Sequence, residues 1–168
     1  MSSSSVALAA LLGLAGLLVG SFVGVLIHRI PSGESILGPR SRCPRCHSPI
    51  AARDNIPVLS WVLLHARCRT CGEPISIRYP LVEATTGVLW ALLALWAMGT
   101  SEQGGLLPWL LALSAVCVAL WVIDLQHHRL PNALVLPLYP LGILGLAVAG
   151  LLSGRWPVLG AAGGAVVW

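Results

Sequence analysis

The chain has 168 residues, of which 57% are hydrophobic and only 10% are charged. This composition excludes an ordinary soluble globular protein and indicates a polytopic membrane protein. Its ten Lys and Arg residues are all arginines, and eight of them lie between Arg29 and Arg78. Because arginine marks the cytoplasmic side of membrane proteins, the basic isoelectric point is first a sign of topology rather than of nucleic-acid binding.

The first apolar stretch, residues 6–27, is long enough to cross a bilayer. It lacks the basic start and the small-residue cleavage site of a secretory signal, so we expect a retained transmembrane helix. Gly16, Gly20 and Gly24 recur every four residues and therefore lie on one helix face. Small residues at this spacing predict a seam where another helix packs closely.

Four more apolar stretches follow a polar segment that covers residues 28–80. Three of them can cross a bilayer, and the last has 11 residues, about half the required length. The four stretches are residues 81–98, 106–123, 133–152 and 158–168. We therefore expect an all-α polytopic membrane protein with about five transmembrane helices, the last of them incomplete, and a chain truncated within a crossing.

The arginines also predict the orientation. The Arg-rich segment and the turn at His127, His128 and Arg129 fall on the same side when crossings alternate, and that side should be cytoplasmic. The N-terminus and the loops that hold Glu102 and Arg155 then face outward. The expected units are a first transmembrane helix in 1–27, a cytoplasmic Cys-rich segment in 28–80 and a membrane domain in 81–168.

Two Cys-x-x-Cys motifs lie in the polar segment, Cys43 with Cys46 and Cys68 with Cys71, separated by 21 residues. Each motif brings two thiolates to one side of a tight turn, and together they offer the four soft ligands of a zinc site. The alternatives are two disulfides, which a cytoplasmic location disfavours, or a redox-active dithiol, which needs only one pair. A four-cysteine site has no open position, so the predicted zinc is structural. Cys117, in an apolar stretch, is predicted to be a small apolar filler.

Asp124 follows an uncharged run of 18 residues, 106–123. A carboxylate at the end of a membrane span is costly, which makes Asp124 a functional candidate. The alternative is that it only lies in the headgroup layer beside His127, His128 and Arg129.

Five sequence segments carry a resemblance to one family, in that family's order. They read Gly-Ser-Phe-Val-Gly-Val-Leu-Ile-His-Arg-Ile-Pro at 20–31, Ser-Arg-Cys-Pro-Arg-Cys at 41–46, Asp-Asn-Ile-Pro-Val-Leu-Ser-Trp at 54–61, Ile-Arg-Tyr-Pro-Leu-Val-Glu at 77–83, and Ile-Asp-Leu followed, after four residues, by Leu-Pro-Asn at 123–132. With these motifs and the second Cys pair, the chain resembles the type IV prepilin leader peptidases, which are bacterial membrane aspartic proteases. Gly24 departs from the family pattern, in which asparagine is usual.

The resemblance implies that Asp124 is one of two catalytic aspartates, the second lying in a Gly-x-Gly-Asp motif on a later span. No acidic residue follows Asp124 here, so the second aspartate is expected beyond Trp168 and the chain as given is expected to be inactive. The implied reaction removes the basic leader from prepilin or pseudopilin substrates at the bacterial inner membrane. One carboxylate takes a proton from water while the other, protonated, polarises the scissile carbonyl.

Many members of the family that the chain resembles also N-methylate the new N-terminus with S-adenosylmethionine. Glu83 and Arg78 lie in the matching stretch and are the candidates for binding that cofactor. The alternative is an ion pair between these two residues at a helix start. No glycine-rich cofactor loop accompanies them.

Two other classes of function compete with the peptidase. One is a non-enzymatic membrane adaptor whose zinc ribbon docks a pilus or secretion component; a degenerate paralogue belongs with it. The other is a membrane-tethered nucleic-acid-binding ribbon, which the lack of a long basic run and of an aromatic platform disfavours. The expected partners are pilin-like substrates and membrane lipid, without nucleic acid, and the sequence predicts no oligomeric state.

Overall fold

The computed structural model describes residues 3–38, 41–99 and 104–153, and within them the regular secondary structure is helical. The helices are α1 (Ser3–Arg29), α2 (Leu59–Leu63), α3 (Arg78–Gly99), α4 (Leu107–His127) and α5 (Asn132–Ser153). Across these described ranges there is no β-strand, only two isolated β-bridges. The predicted all-α class is therefore confirmed. The expected half-span at 158–168 and the loop residues Glu102 and Arg155 lie outside the described residues.

Three helices, α1, α3 and α4, are long and apolar enough to cross a membrane, and the apolar part of α5, Asn132–Val148, is shorter. The chain is thus a multi-pass membrane protein. The helix α4 continues past the predicted end at Ile123 as far as His127. It stops there because His128 turns left-handed, with φ of 50°, and its N–H donates to the Asp124 carbonyl at 2.8 Å. Asp124 therefore lies inside the last turn of α4.

The packing of α1 on α3 depends on glycine. A Cβ on Gly20 would lie 2.7 Å from the Cα of Glu83, and one on Gly16 would lie 2.9 Å from the Cα of Gly87. Only glycine permits backbones to approach this closely, so the predicted seam is confirmed at these two positions. The prediction is wrong at Gly24, where a Cβ would meet the Tyr79 ring at 3.7 Å, an ordinary contact. The neighbour there is a side chain rather than a helix backbone.

The seam gives a stability prediction with an internal control. Gly20→Ala must push α1 away from α3, and overpacking of this kind costs about 1–3 kcal/mol. Gly24→Ala adds the same methyl group where there is room for it. We expect a lower melting temperature in detergent for Gly20→Ala and an unchanged one for Gly24→Ala. Equal melting temperatures for the two variants would contradict the seam.

The buried core lies at the end of the bundle where α1 and α4 finish and α3 and α5 begin. Val23, Ile27, Val82 and Ile123 pack together there, and Ile123 is only 1% exposed. Successive residues of a helix are rotated by about 100°, so the burial of Ile123 turns the next side chain, Asp124, away from the core. The Cys-rich segment joins α1 to α3 at this same end of the bundle.

Candidate functional site

The four cysteines of the polar segment converge in space. The Sγ atoms of Cys43, Cys46, Cys68 and Cys71 all lie within 4.8 Å of one another, and those of Cys43 and Cys71 are 3.8 Å apart. All four are free thiols, so the structure does not support the disulfide alternative. Four sulfur ligands around one point can hold a metal ion.

The first Cys pair is held in a tight knuckle. The N–H of Cys43 donates to the Ser48 carbonyl at 3.0 Å, and the N–H of His47 donates to the Cys43 carbonyl at 2.9 Å. His47, which follows Cys46, has φ of 56°. A left-handed residue at this point reverses the chain, so that Cys43 and Cys46 face the same side.

The second knuckle repeats the first 25 residues later along the chain. The N–H of Cys68 donates to the Glu73 carbonyl at 2.8 Å, and the N–H of Gly72 donates to the Cys68 carbonyl at 2.9 Å. Gly72, with φ of 73°, takes the left-handed place that His47 has in the first knuckle. Residues 41–50 and 66–75 share an arginine, both cysteines and a Pro-Ile end. The two knuckles therefore form a short internal repeat that the sequence itself displays.

Side chains around the cysteines join the two knuckles. Arg45 Nη1 lies 3.1 Å from Glu73 Oε2, which forms an ion pair across the site. The Ser48 hydroxyl lies 2.9 Å from Cys46 Sγ and donates to Thr70 Oγ1 at 3.3 Å. Ser48 therefore contacts one candidate ligand and the opposite knuckle together, as residues that orient metal ligands commonly do.

An arginine–aspartate pair ties the connecting segment to the second knuckle. Arg69 donates from Nη2 to Asp54 Oδ1 at 2.6 Å and from Nε to Oδ2 at 2.9 Å. These hydrogen bonds hold the pKa of Asp54 below its usual range and raise the pKa of Arg69. Asp54 is thus bound in a bidentate pair with Arg69.

Three of the four thiols have shifted pKa values, and the shifts differ in direction. Hydrogen bonds from Ser48 lower the pKa of Cys46 to about 6, and a backbone hydrogen bond from Cys71 lowers the pKa of Cys68. A backbone hydrogen bond from Glu73 lowers the pKa of Cys71, but desolvation and the hydrogen bonds to the other three cysteines raise it to about 12. At neutral pH Cys46 is ionised and Cys71 keeps its proton. Four thiolates this close need a cation between them.

The Asp124 carboxylate is exposed at the end of α4. Within the described ranges, no hydrogen bond or ion pair engages it. Three other acidic residues are occupied elsewhere: Asp54 by Arg69, Glu73 by Arg45, and Glu83 by a backbone N–H. Asp124 is thus the exposed carboxylate that α4 presents at its end, and these three acids are engaged by other groups.

Glu83 and Arg78 do not form the ion pair that was considered for them. Glu83 Oε2 accepts a hydrogen bond from the Val58 N–H at 2.7 Å, so it binds the Cys-rich segment. Arg78 lines an open cleft of about 170 Å³ with residues of α1 and α4, among them His28 and Gln126. Glu83 is not part of that lining.

Cys117 is exposed on α4, so among the described residues it does not fill a space between helices, as the predicted apolar filler would. The sequence could not indicate this, because α4 is apolar on every side and gives no sign of which face meets its neighbours.

Comparison with known proteins identifies the family to which the chain belongs. The model of the bacterial peptidase A24 N-terminal domain matches residues 14–97, which is half of the chain. The chain belongs to this family. The match covers most of α1, the Cys-rich segment and α3, whereas Asp124 of the A24 chain lies beyond it.

Relatives of this A24 chain come from several bacteria. A protein of Myxococcus xanthus is 46% identical over 149 residues, 89% of this chain and 43% of the relative. One of Klebsiella pneumoniae is 46% identical over 138 residues, 78% of this chain and 58% of the relative. One of Neisseria gonorrhoeae is 38% identical over 190 residues, 98% of this chain and 63% of the relative. Each is named a prepilin leader peptidase/N-methyltransferase.

The chain spans about half the length of the curated relatives that it matches. No solved structure matches the chain.

Proposed function

We propose that this chain contributes Asp124 to the active site of a prepilin leader peptidase. Such an enzyme is an aspartic endopeptidase that removes the leader from prepilin or pseudopilin substrates. The observation that carries the proposal is the place of Asp124, an exposed carboxylate in the last turn of a membrane-length helix. Family membership and the names of the relatives support it.

The proposed chemistry needs a second carboxylate. One ionised acid takes a proton from the attacking water, and one protonated acid donates a hydrogen bond to the scissile carbonyl. Held close together, the two titrate as a pair that shares one proton. We propose that the second aspartate comes from sequence beyond residue 168, in the Gly-x-Gly-Asp motif that the resemblance implies. Asp124 alone supplies half of the site.

The location of Asp124 suits a substrate that is itself anchored in the membrane. Its carboxylate lies in the last turn of α4, directly after the uncharged run 106–123, where apolar and aqueous surroundings meet. A substrate could keep its apolar helix in lipid and its basic leader in water, and present the bond between them. We propose a bacterial inner-membrane location, with the N-terminus outside and the Cys-rich segment in the cytoplasm, because eight arginines cluster in and around that segment.

We propose zinc as the metal of the four-cysteine site. A tetrahedral zinc ion with four Zn–S bonds of about 2.3 Å holds its sulfurs about 3.8 Å apart. The Cys43–Cys71 Sγ distance is 3.8 Å, and the largest separation in the cluster requires only a small contraction. Four protein ligands leave no open position, so the zinc would stabilise the segment and take no part in hydrolysis.

Zinc affinity should depend on pH in a defined direction. Zinc binds thiolates, and at neutral pH Cys71, with a pKa of about 12, must lose a proton when the metal enters. Below about pH 6 Cys46 is protonated as well, so protons compete at one more ligand. We expect the affinity to fall on acidification, and to fall more steeply below pH 6. Competition with a chromophoric chelator at a series of pH values measures this, and an affinity independent of pH would contradict thiolate binding.

N-methylation of the new N-terminus with S-adenosylmethionine is the second activity we propose, from the names of the relatives. Of the two candidate residues for that cofactor, Arg78 lines a small cleft and Glu83 does not. The cleft at Arg78 holds about 170 Å³, less than the 300–1,000 Å³ usual for such ligands, and Glu83 is engaged with Val58. The mass of the new N-terminus tests for an added methyl group.

The peptidase is tested with the protein from the complete gene, reconstituted in lipid vesicles. The probe is a membrane-anchored peptide with a basic leader followed by an apolar helix. We expect mass spectrometry to find one cut directly before the apolar helix. If the protein binds the probe but leaves it intact, the proposal fails and the membrane adaptor becomes the better description.

A further inference from the structure

The chain makes a strained turn just before α2. Val58 has φ of 61° and ψ of −50°, and the N–H of Leu59 donates to the Pro57 carbonyl at 2.6 Å. These values define a three-residue γ-turn of the disfavoured hand. A β-branched residue at positive φ is costly, and such strain persists only where the surroundings hold it in place.

One carboxylate from the membrane bundle holds this turn. Glu83 Oε2 accepts the Val58 N–H at 2.7 Å, a short hydrogen bond to a charged acceptor. The backbone of Glu83 lies at the closest approach of α1 and α3, where a Cβ on Gly20 would come within 2.7 Å of the Glu83 Cα. The carboxylate therefore extends from a fixed point of the bundle.

The same turn connects onward to the metal cluster. Next to it, the buried Ser60 hydroxyl accepts from the Ile56 N–H at 2.9 Å and donates to the Arg53 carbonyl at 3.1 Å. In α2, Trp61 Nε1 donates to the Ile75 carbonyl at 3.0 Å, at the end of the second knuckle. Hydrogen bonds thus connect α3 to the turn at Val58, and α2 to the end of the second knuckle at Ile75.

We propose that Glu83 is a positioning residue. Its carboxylate holds the γ-turn at Val58 in the strained form and so fixes the Cys-rich segment on the membrane bundle. It acts through the Val58 N–H and touches neither the metal ligands nor the Arg78 cleft. The proposal concerns the contact between the Cys-rich segment and the membrane helices. It does not depend on the proposed peptidase chemistry.

Hydrogen–deuterium exchange on the full-length protein in lipid nanodiscs tests the proposal. Glu83→Ala removes the acceptor, and we expect the amides of residues 56–63 to exchange at least tenfold faster. Glu83→Gln keeps a carbonyl oxygen at the same reach, so its exchange should stay close to that of the wild type. Glu34→Ala, at an exposed glutamate elsewhere in the segment, is the matched control and should change nothing at 56–63.

The zinc content of Glu83→Ala distinguishes a positioning role of Glu83 from a role in folding the Cys-rich segment. Glu83→Ala should still carry as much zinc as the wild type, because the cysteines are untouched. Unchanged exchange in Glu83→Ala would overturn the proposal. It would also be overturned if Glu83→Gln exchanged as fast as Glu83→Ala, since the hydrogen-bond acceptor would then not matter. Loss of zinc from Glu83→Ala would assign Glu83 a folding role instead.

Discussion

Asp124→Asn in the full-length protein is expected to abolish leader cleavage. Asparagine has the shape of aspartate but cannot exchange a proton with water or with a second acid. General acid–base catalysis by one group contributes about 10²–10⁴-fold, so cleavage should fall by at least that factor. Because Asp124 is exposed and its side chain has no partner among the described residues, the fold and the zinc content should not change. Cleavage rates with the vesicle-bound probe provide the measurement.

Asp54→Asn is the matched control for this experiment. It makes the same chemical change at the only other aspartate of the chain, which is bound by Arg69. An asparagine there still accepts a hydrogen bond from Arg69, so cleavage should stay within a few-fold of the wild type. If the Asp124 variant cut the probe at the normal rate, the aspartic mechanism would be wrong. Loss of cleavage in the Asp54 variant alone would move the catalytic role to that residue.

The helices that cross the membrane could be predicted because span length is a property of local sequence. An uncharged run of sufficient length has to satisfy its backbone hydrogen bonds internally, and a helix does so. The residues at which helices end were harder to predict. Pro131 and the basic residues before it indicate that the helix ends ahead of Pro131, but they do not identify the last helical residue, which the left-handed conformation of His128 sets. Asp124 therefore lies inside α4, whereas the sequence predicted a position just beyond the end of the helix.

The metal site could be predicted because each knuckle is local and the spacing alone places two thiols together. The contacts around it depend on the path of the chain between the knuckles. Nothing local pairs Asp54 with Arg69, or Glu83 with a backbone N–H 25 residues earlier. The Glu83–Arg78 pair, the alternative to cofactor binding, followed from their closeness along one helix, but Glu83 instead accepts a hydrogen bond from a residue outside the helix. Likewise Gly24 belongs to the glycine repeat, yet its neighbour is a tyrosine ring.

Cys71→Ser is expected to lose the zinc ion and loosen the Cys-rich segment. A structural zinc ion contributes about 10–16 kcal/mol of binding free energy in small zinc domains, and that energy folds the segment around it. The segment has little apolar core of its own: of its cysteines only Cys43 is buried, and large side chains such as Leu59 and Leu63 are exposed. Elemental analysis should find one zinc per chain in the wild type and none in the variant. Limited proteolysis should cut the variant between residues 41 and 75.

The control for Cys71→Ser is Cys117→Ser, which removes a thiol from the exposed face of α4. It should keep its zinc and its resistance to protease, so a general effect of losing a cysteine is separated from loss of a ligand. Cys43→Ser should behave like Cys71→Ser, because the two Sγ atoms lie 3.8 Å apart in one cluster. A wild-type protein that is folded and free of zinc would reject the metal site. If Cys43→Ser lost zinc and Cys71→Ser kept it, the four-ligand geometry would be wrong. A closed tetrahedral site needs the cysteines of both knuckles equally.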